Sequence, residues 1–318
     1  MKLSNASIKK LIKGACCHEE RDGYLYSYHY TKEQLDYFKP LGYWYDNARA
    51  LSSGRIEMIT DATELSFKYY KDEERVDHCT FDLYINGVAH AIHYTQNVGG
   101  SVANFTLPEG EKHICIYFPS WGEVGIKDLT FNGKYKPVKK KQTKLLALGD
   151  SITQGYGAFW AGTGYINVFS RLYGCDVLSQ AIGGYRFDEG GVQEIPGYKP
   201  DKILVALGTN SYNSPSEYDY EKEVEKFFQK LRAVFGVTPV LVVTPVWRND
   251  NPDRERFAWC IEVIKTRCAN YENIAVVDGL TLIPNINECY LDDKVHPNAY
   301  GMLHMGENLY RAVKKIKF

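Results

Sequence analysis

Four short stretches of the chain carry residues that could do chemistry together. They are Gly149-Asp150-Ser151, Ala181-Ile182-Gly183-Gly184-Tyr185, Gly208-Thr209-Asn210 and Asp292-Asp293-Lys294-Val295-His296-Pro297. Between them they offer a serine, a flexible glycine pair, a side-chain amide and an acid–histidine pair, a set suited to acyl transfer. A serine hydroxyl is a weak nucleophile at neutral pH and needs a base within hydrogen-bond reach. His296 can take the hydroxyl proton and return it to a leaving alcohol. Asp293, three residues earlier, can hold the other imidazole nitrogen and so set the tautomer. Asp292 competes for that role, and the spacing favours Asp293. A tetrahedral intermediate carries an oxyanion, which preorganised donors must stabilise. The backbone N–H groups of Ser151 and Gly184 and the side chain of Asn210 would supply them. Taken singly, each residue has a plainer reading. Ser151 would cap a helix, Asn210 and Gly184 would serve turns, and His296 would be structural. Their occurrence together, in order, argues for catalysis.

The elements that must position these residues are visible in the second half. Apolar runs at 144–149 (KLLALG), 175–180 (CDVLSQ), 202–208 (KILVALG), 239–245 (PVLVVTP) and 273–279 (NIAVVDG) read as strands. Helical patterns follow at 165–174, 218–236, 254–271 and 299–316. Strands of near-continuous apolar character with helical crossovers predict an α/β fold, a parallel sheet covered on both faces. Ligands in such folds bind beyond the carboxyl ends of the strands. The first three reactive stretches sit at such ends, and the acid–histidine stretch follows the last strand.

The first half has another texture. Short alternating runs such as RIEMIT, LSFKYYK, CTFDLYING, AHAIHYT, VANFTL and HICIYFPS are separated by turns at 85–88, 97–101 and 107–112. They predict an all-β, antiparallel, jelly-roll-like sandwich over residues 1–140, ahead of a catalytic domain at 141–318. The lysine-rich stretch 133–144 between them reads as a solvated linker.

Composition narrows the function. Formal net charge is −1, so no nucleic-acid partner is indicated. No stretch is apolar for long enough to span a membrane, and the amino terminus lacks signal-peptide character; both point to a cytoplasmic protein. The eight cysteines show no paired-motif spacing and read as free thiols, with no zinc site. The 25 tyrosines suit either strand packing or contact with hydroxylated ligands.

The second half resembles the SGNH (GDSL-type) hydrolase superfamily. GDSIT at 149–153, IGG at 182–184, GTN at 208–210 and DKVHP at 293–297 match its four blocks in order. The resemblance covers residues 143–318 and implies a three-layer α/β/α, flavodoxin-like domain. It makes Ser151 the nucleophile, His296 the base and Asp293 its orienting acid, with Gly184 and Asn210 as oxyanion donors beside the Ser151 N–H. Two positions depart from the pattern. Ser211 stands where an acid often follows the asparagine, and Ser179 and Gln180 stand where an asparagine often precedes the glycine. A sandwich followed directly by a GDS strand, with TPVWR at 244–248, resembles two-domain carbohydrate acetylesterases.

The resulting expectation is a serine esterase acting on a small-molecule or oligosaccharide acyl ester, with acetyl on carbohydrate foremost. No metal or organic cofactor is required. Lysophospholipase, thioesterase or acyltransferase chemistry, or glycan binding with a vestigial triad, are the alternatives. Tyr185 and Trp247 are candidate pocket residues or rim packing. Trp121 and Tyr43, Trp44 and Tyr45 of GYWYD are candidates for sugar stacking or interdomain packing. Association into homo-oligomers is left open.

Overall fold

The structure is a computed structural model that describes residues 1–72, 79–95, 98–138, 142–213, 220–250 and 253–318. Asn97 of one expected turn, residues 139–141 of the lysine-rich stretch and residues 218–219 of one expected helix lie outside these.

Five parallel strands form the sheet that positions the reactive stretches. They are β1 (Thr143–Gly149), β2 (Cys175–Ala181), β3 (Lys202–Ala206), β4 (Val240–Val243) and β5 (Ile274–Val277), in the spatial order β2-β1-β3-β4-β5. Leu146 of β1 registers with Leu178 on one side and Ile203 on the other. Both faces of β1 are buried, as the unbroken apolar run required. The helices are α1 (Ser151–Gln154), α2 (Tyr165–Tyr173), α3 (Tyr220–Phe235), α4 (Arg254–Cys268) and α5 (Ala299–Ile316). α2 and α5 pack on one face; Phe169, Met302, Met305 and Leu309 share a core there. α3 and α4 cover the other, where Phe227, Phe228, Ile261 and Ile264 cluster. Each such side chain contributes about 1.5–3 kcal/mol by burial. The chain leaves β1 toward β2, then crosses back to β3 on the other side. The carboxyl end of β1 is therefore the switch point where a crevice opens.

Residues 12–136 supply two antiparallel sheets. One runs Ile12–Lys13, Arg55–Thr60, Lys112–Tyr117, Thr80–Ile85, Val88–Tyr94; the other runs Cys17–Arg21, Tyr24–Tyr28, Val124–Phe131, Glu64–Lys71, Gly99–Thr106. Every alternating run named above overlaps one of these strands. Ile56, Met58, Phe67, Phe81, Ile116 and Ile126 form the core between the sheets.

Two features depart from expectation. The lysine-rich stretch is not all linker: Tyr135–Lys136 pairs with Arg55–Thr60, and Tyr135 packs edge-on against Phe131. The first half also contains the helices Lys32–Phe38 and Tyr43–Ala48. Tyr30, Phe38 and Ala48 join the core built around Leu148, Ile182 and Phe187. The segment 30–48 is thus packed as part of the α/β layer.

Candidate active site

The turn after β1 explains the order Gly-Asp-Ser. A Cβ on Gly149 would lie 2.2 Å from Thr153 Oγ1, so only glycine lets α1 fold back directly under the strand. Asp150 caps α1, its Oδ1 accepting the Ile152 N–H at 3.0 Å. The Asp150 side chain is fully enclosed, and burial pushes its carboxyl up to about 7 against the opposing backbone N–H groups of Ile152 and Asp150. Ser151 opens the helix, where backbone N–H groups have no intrahelical acceptor. The residue is 8% exposed, just past the carboxyl end of β1.

Ser151 Oγ is 2.8 Å from His296 Nε2, and His296 Nδ1 is 2.6 Å from Asp293 Oδ2. It is Asp293, not Asp292, that bonds the imidazole. Asp293 Oδ1 accepts the backbone N–H groups of Val295 and His296 at 2.9 and 3.0 Å, which closes the loop around the carboxylate. Lys294 takes a left-handed φ of 59° to allow this. Burial would raise the Asp293 carboxyl, but the N–H groups of His296 and Val295, and then the imidazole, outweigh it and hold the group below the ordinary carboxylate range. The ring of Tyr156 packs edge-on against the imidazole at 4.5 Å.

The glycine pair sits in a turn. Tyr185 donates its N–H to Ile182 O at 3.0 Å, and Gly184 has φ 75°, a value that favours glycine. Gly183 donates its N–H to Gln154 Oε1 at 2.6 Å. Asn210 Nδ2 donates to Tyr185 O at 3.0 Å, which ties the amide to the same turn. A primary amide has two N–H bonds, so the second is left for an incoming acceptor. Arg248 Nη1 donates to Thr209 O at 2.8 Å and its guanidinium pairs with Asp250, bracing the loop that carries Asn210.

Residues 147–303 match the GDSL-like Lipase/Acylhydrolase family. The chain carries a GDSL-like lipase/acylhydrolase domain. An acetylxylan esterase of Xylanibacter ruminicola is 22% identical over 280 residues, covering 73% of this chain and 57% of that protein. The chain therefore spans somewhat over half the length of that relative. The fold of nearly the whole chain recurs in solved structures. The salicylyl-acyltransferase SsfX3 of a tetracycline biosynthetic pathway superposes with a TM-score of 0.85 at 19% identity, covering 96% of this chain and 94% of that one. A family two carbohydrate esterase from Clostridium thermocellum, solved in complex with cellohexaose, superposes with a TM-score of 0.66 at 18% identity, covering 83% and 92%.

Two expected pocket residues of the GDSL domain fall elsewhere. Tyr185 is buried, its ring edge-on to Phe38 and Trp44 and its hydroxyl bonded to Asp188. Only its carbonyl meets the site, through Asn210. Trp247 donates its indole N–H to Leu280 O at 2.8 Å and packs against the core on the α2–α5 face, so it serves packing. His304 lies on α5, edge-on to Tyr300.

Aromatic candidates of the first half of the chain meet the glycine turn. Tyr43 and Trp44 lie over Gly184, whose Cβ would stand 3.3 Å from Tyr43 Cε1 and 3.8 Å from Trp44 Nε1. Trp121 closes on Gly183 and meets Tyr156 edge-on at 5.5 Å. Beyond Tyr156 lies a cavity of about 220 Å³, lined by Trp121, Tyr156, Phe159, Trp160 and Leu291. A run of aromatic residues at 156–160 was the available sequence signal for it.

Proposed function

We propose that the protein hydrolyses a short acyl ester, acetyl on a carbohydrate foremost, through an acyl-enzyme on Ser151. The observation that carries this reading is the hydrogen-bonded row Ser151–His296–Asp293, with contacts of 2.8 and 2.6 Å at the carboxyl end of the central strand. Ser151 Oγ attacks the ester carbonyl carbon as His296 Nε2 accepts the hydroxyl proton. The new C–O bond converts the carbonyl oxygen to an oxyanion, which the N–H groups of Ser151 and Gly184 and the Asn210 amide receive. Collapse breaks the bond to the alcohol oxygen, which leaves with the proton from the imidazolium. Water, deprotonated by the same imidazole, then attacks the acyl-serine and releases the carboxylic acid. The Asp293 carboxylate stays ionised and stabilises the imidazolium in both halves.

The GDSL-like match and the acetylxylan esterase relative support ester hydrolysis, and the aromatic cavity beside Tyr156 suits a sugar ring as the alcohol portion. The same cavity would equally seat a hydroxylated acceptor, in which case the acyl group is transferred to it rather than to water. Turnover of p-nitrophenyl esters from acetate to octanoate, followed by acetylated xylo-oligosaccharides, tests the reading. Fastest cleavage of the acetate and release of acetate from the oligosaccharides are expected. Preference for octanoate, or product only when an alcohol acceptor is added, would replace it with a long-chain lipase or an acyltransferase.

A further inference from the structure

Gln154 ends α1 three residues after Ser151 and is 1% exposed, yet no step described above uses it. Its side chain makes a contact with each polar bond it possesses. Oε1 accepts the Gly183 N–H at 2.6 Å, while Nε2 donates to Asn47 O at 3.3 Å and Ser120 O at 3.2 Å. The two carbonyls belong to segments of the first half of the chain: the Tyr43–Ala48 helix and the loop before the strand Val124–Phe131. These segments are themselves joined, because the buried Glu123 carboxylate takes Arg49 Nη1 at 2.8 Å and Arg21 Nη2 at 2.7 Å.

We propose that Gln154 is a positioning residue for the oxyanion hole, locking the Gly183–Gly184 turn by using carbonyls of the N-terminal half as its anchor. Two consecutive glycines make a soft turn, since neither carries a Cβ to restrict φ and ψ. Gln154 fixes the peptide before Gly183, and the Tyr185 N–H on Ile182 O fixes the peptide after Gly184. The Gly184 N–H lies in the one peptide between them, so its direction is set by the two outer ones. Trp121 closes the remaining freedom, its ring standing 2.8 Å from where a Gly183 Cβ would be. On the other side of the loop a second amide pair has the same design. Gln180 and Gln34 donate to each other's Oε1 at 2.9 and 3.1 Å, and Gln180 also donates to His29 O at 2.9 Å. The N-terminal half therefore holds the chain at Gln180, just before the oxyanion loop, and through Gln154 at Gly183 within it. Preorganised donors act because they need no reorganisation when charge develops, and Gln154 removes that reorganisation at Gly184.

This inference rests on the esterase reading, so Ser151→Ala is measured beside Gln154→Ala. The readouts are kcat and KM on p-nitrophenyl acetate and the inhibition constant of a trifluoromethyl ketone that forms a tetrahedral oxyanion. Gln154→Ala is expected to lower kcat about tenfold to a hundredfold, less than deleting a donor outright, with KM within threefold and ketone affinity falling in parallel with kcat. A folded Gln154→Ala variant that keeps wild-type kcat and ketone affinity overturns the inference, as does a loss of kcat with ketone affinity unchanged. Wild-type turnover that survives Ser151→Ala overturns the esterase reading instead. Gln154→Glu decides the matter if the alanine variant is unstable. Its ionised carboxylate keeps the bond from Gly183 but faces two carbonyls, whereas its protonated form regains a donor. Activity relative to wild type should rise as pH is lowered; a ratio constant with pH overturns the inference.

Discussion

Replacing Asp293 by asparagine should be far more damaging than the change in size suggests. The carboxylate accepts the Val295 and His296 backbone N–H groups on Oδ1, at 2.9 and 3.0 Å, and the imidazole on Oδ2 at 2.6 Å. Asparagine keeps an oxygen for the backbone pair, so the loop persists, but it turns an NH₂ toward Nδ1. Two donors cannot face one another, so the imidazole places its proton on Nε2. That nitrogen is 2.8 Å from Ser151 Oγ, and once protonated it cannot take the serine's proton. In the serine protease triad the same replacement lowers kcat about 10⁴-fold, or about 5 kcal/mol of transition-state stabilisation. The Asp293 side chain is 40% exposed, so water can partly rescue the tautomer. A loss of about 10²- to 10⁴-fold is therefore expected. The assay is kcat on p-nitrophenyl acetate at pH 8, with thermal unfolding as the check on folding. Asp292→Asn is the control and should stay within twofold. A folded Asp293→Asn variant within tenfold of wild type, or an Asp292→Asn variant that is worse, would refute the reasoning.

Asn210→Ala removes a side-chain donor while leaving the Gly208–Thr209 backbone and its Arg248 brace in place; kcat should fall about 10²- to 10³-fold with KM little changed, and a KM effect without a kcat effect would move Asn210 out of the oxyanion site. Asp150→Asn concerns stability. Burial raises the folded-state pKa of Asp150 from the ordinary 3.8 to about 7, so the folded chain holds this proton more tightly than the unfolded one. That contribution is complete below about pH 4 and is lost as pH rises through about 7. Asparagine keeps the cap on Ile152 N–H and does not titrate. The unfolding free energy of Asp150→Asn, measured with denaturant, should therefore gain on wild type between pH 5 and 8 and level off above; parallel pH curves would show that Asp150 is not buried as a neutral acid.

The parts of this site that could be read from the sequence are those whose signal is local. Near-continuous apolar runs mark the central strands because both their faces are buried, and the GDS and GTN stretches announce themselves because they end two of those runs. The acid three residues before His296 was legible for a similar reason: its carboxylate closes a four-residue loop on its own backbone. What escaped depends on partners distant in the chain. Gln34 and Gln180 are 146 residues apart, and Gln154 reaches Asn47 across 107. A buried glutamine has no periodicity to distinguish it from a solvated one. Tyr185 stayed ambiguous because an aromatic after a glycine pair reads equally as a pocket residue or as packing. The packing of Phe38 and Trp44, from the helices Lys32–Phe38 and Tyr43–Ala48, decides for the core. The lysines at 133–144 masked Tyr135–Lys136, a two-residue strand too short to show alternation.

Covalent capture tests Ser151 as the nucleophile most directly. The wild type is incubated with an alkyl fluorophosphonate, and the adduct is counted by intact mass and located by peptide mapping. One phosphonyl group per chain is expected on the peptide that carries Ser151, forming in step with the loss of ester hydrolysis and absent from Ser151→Ala. A wild type that hydrolyses esters but carries its adduct elsewhere, or is inhibited with no adduct at all, would contradict the assignment.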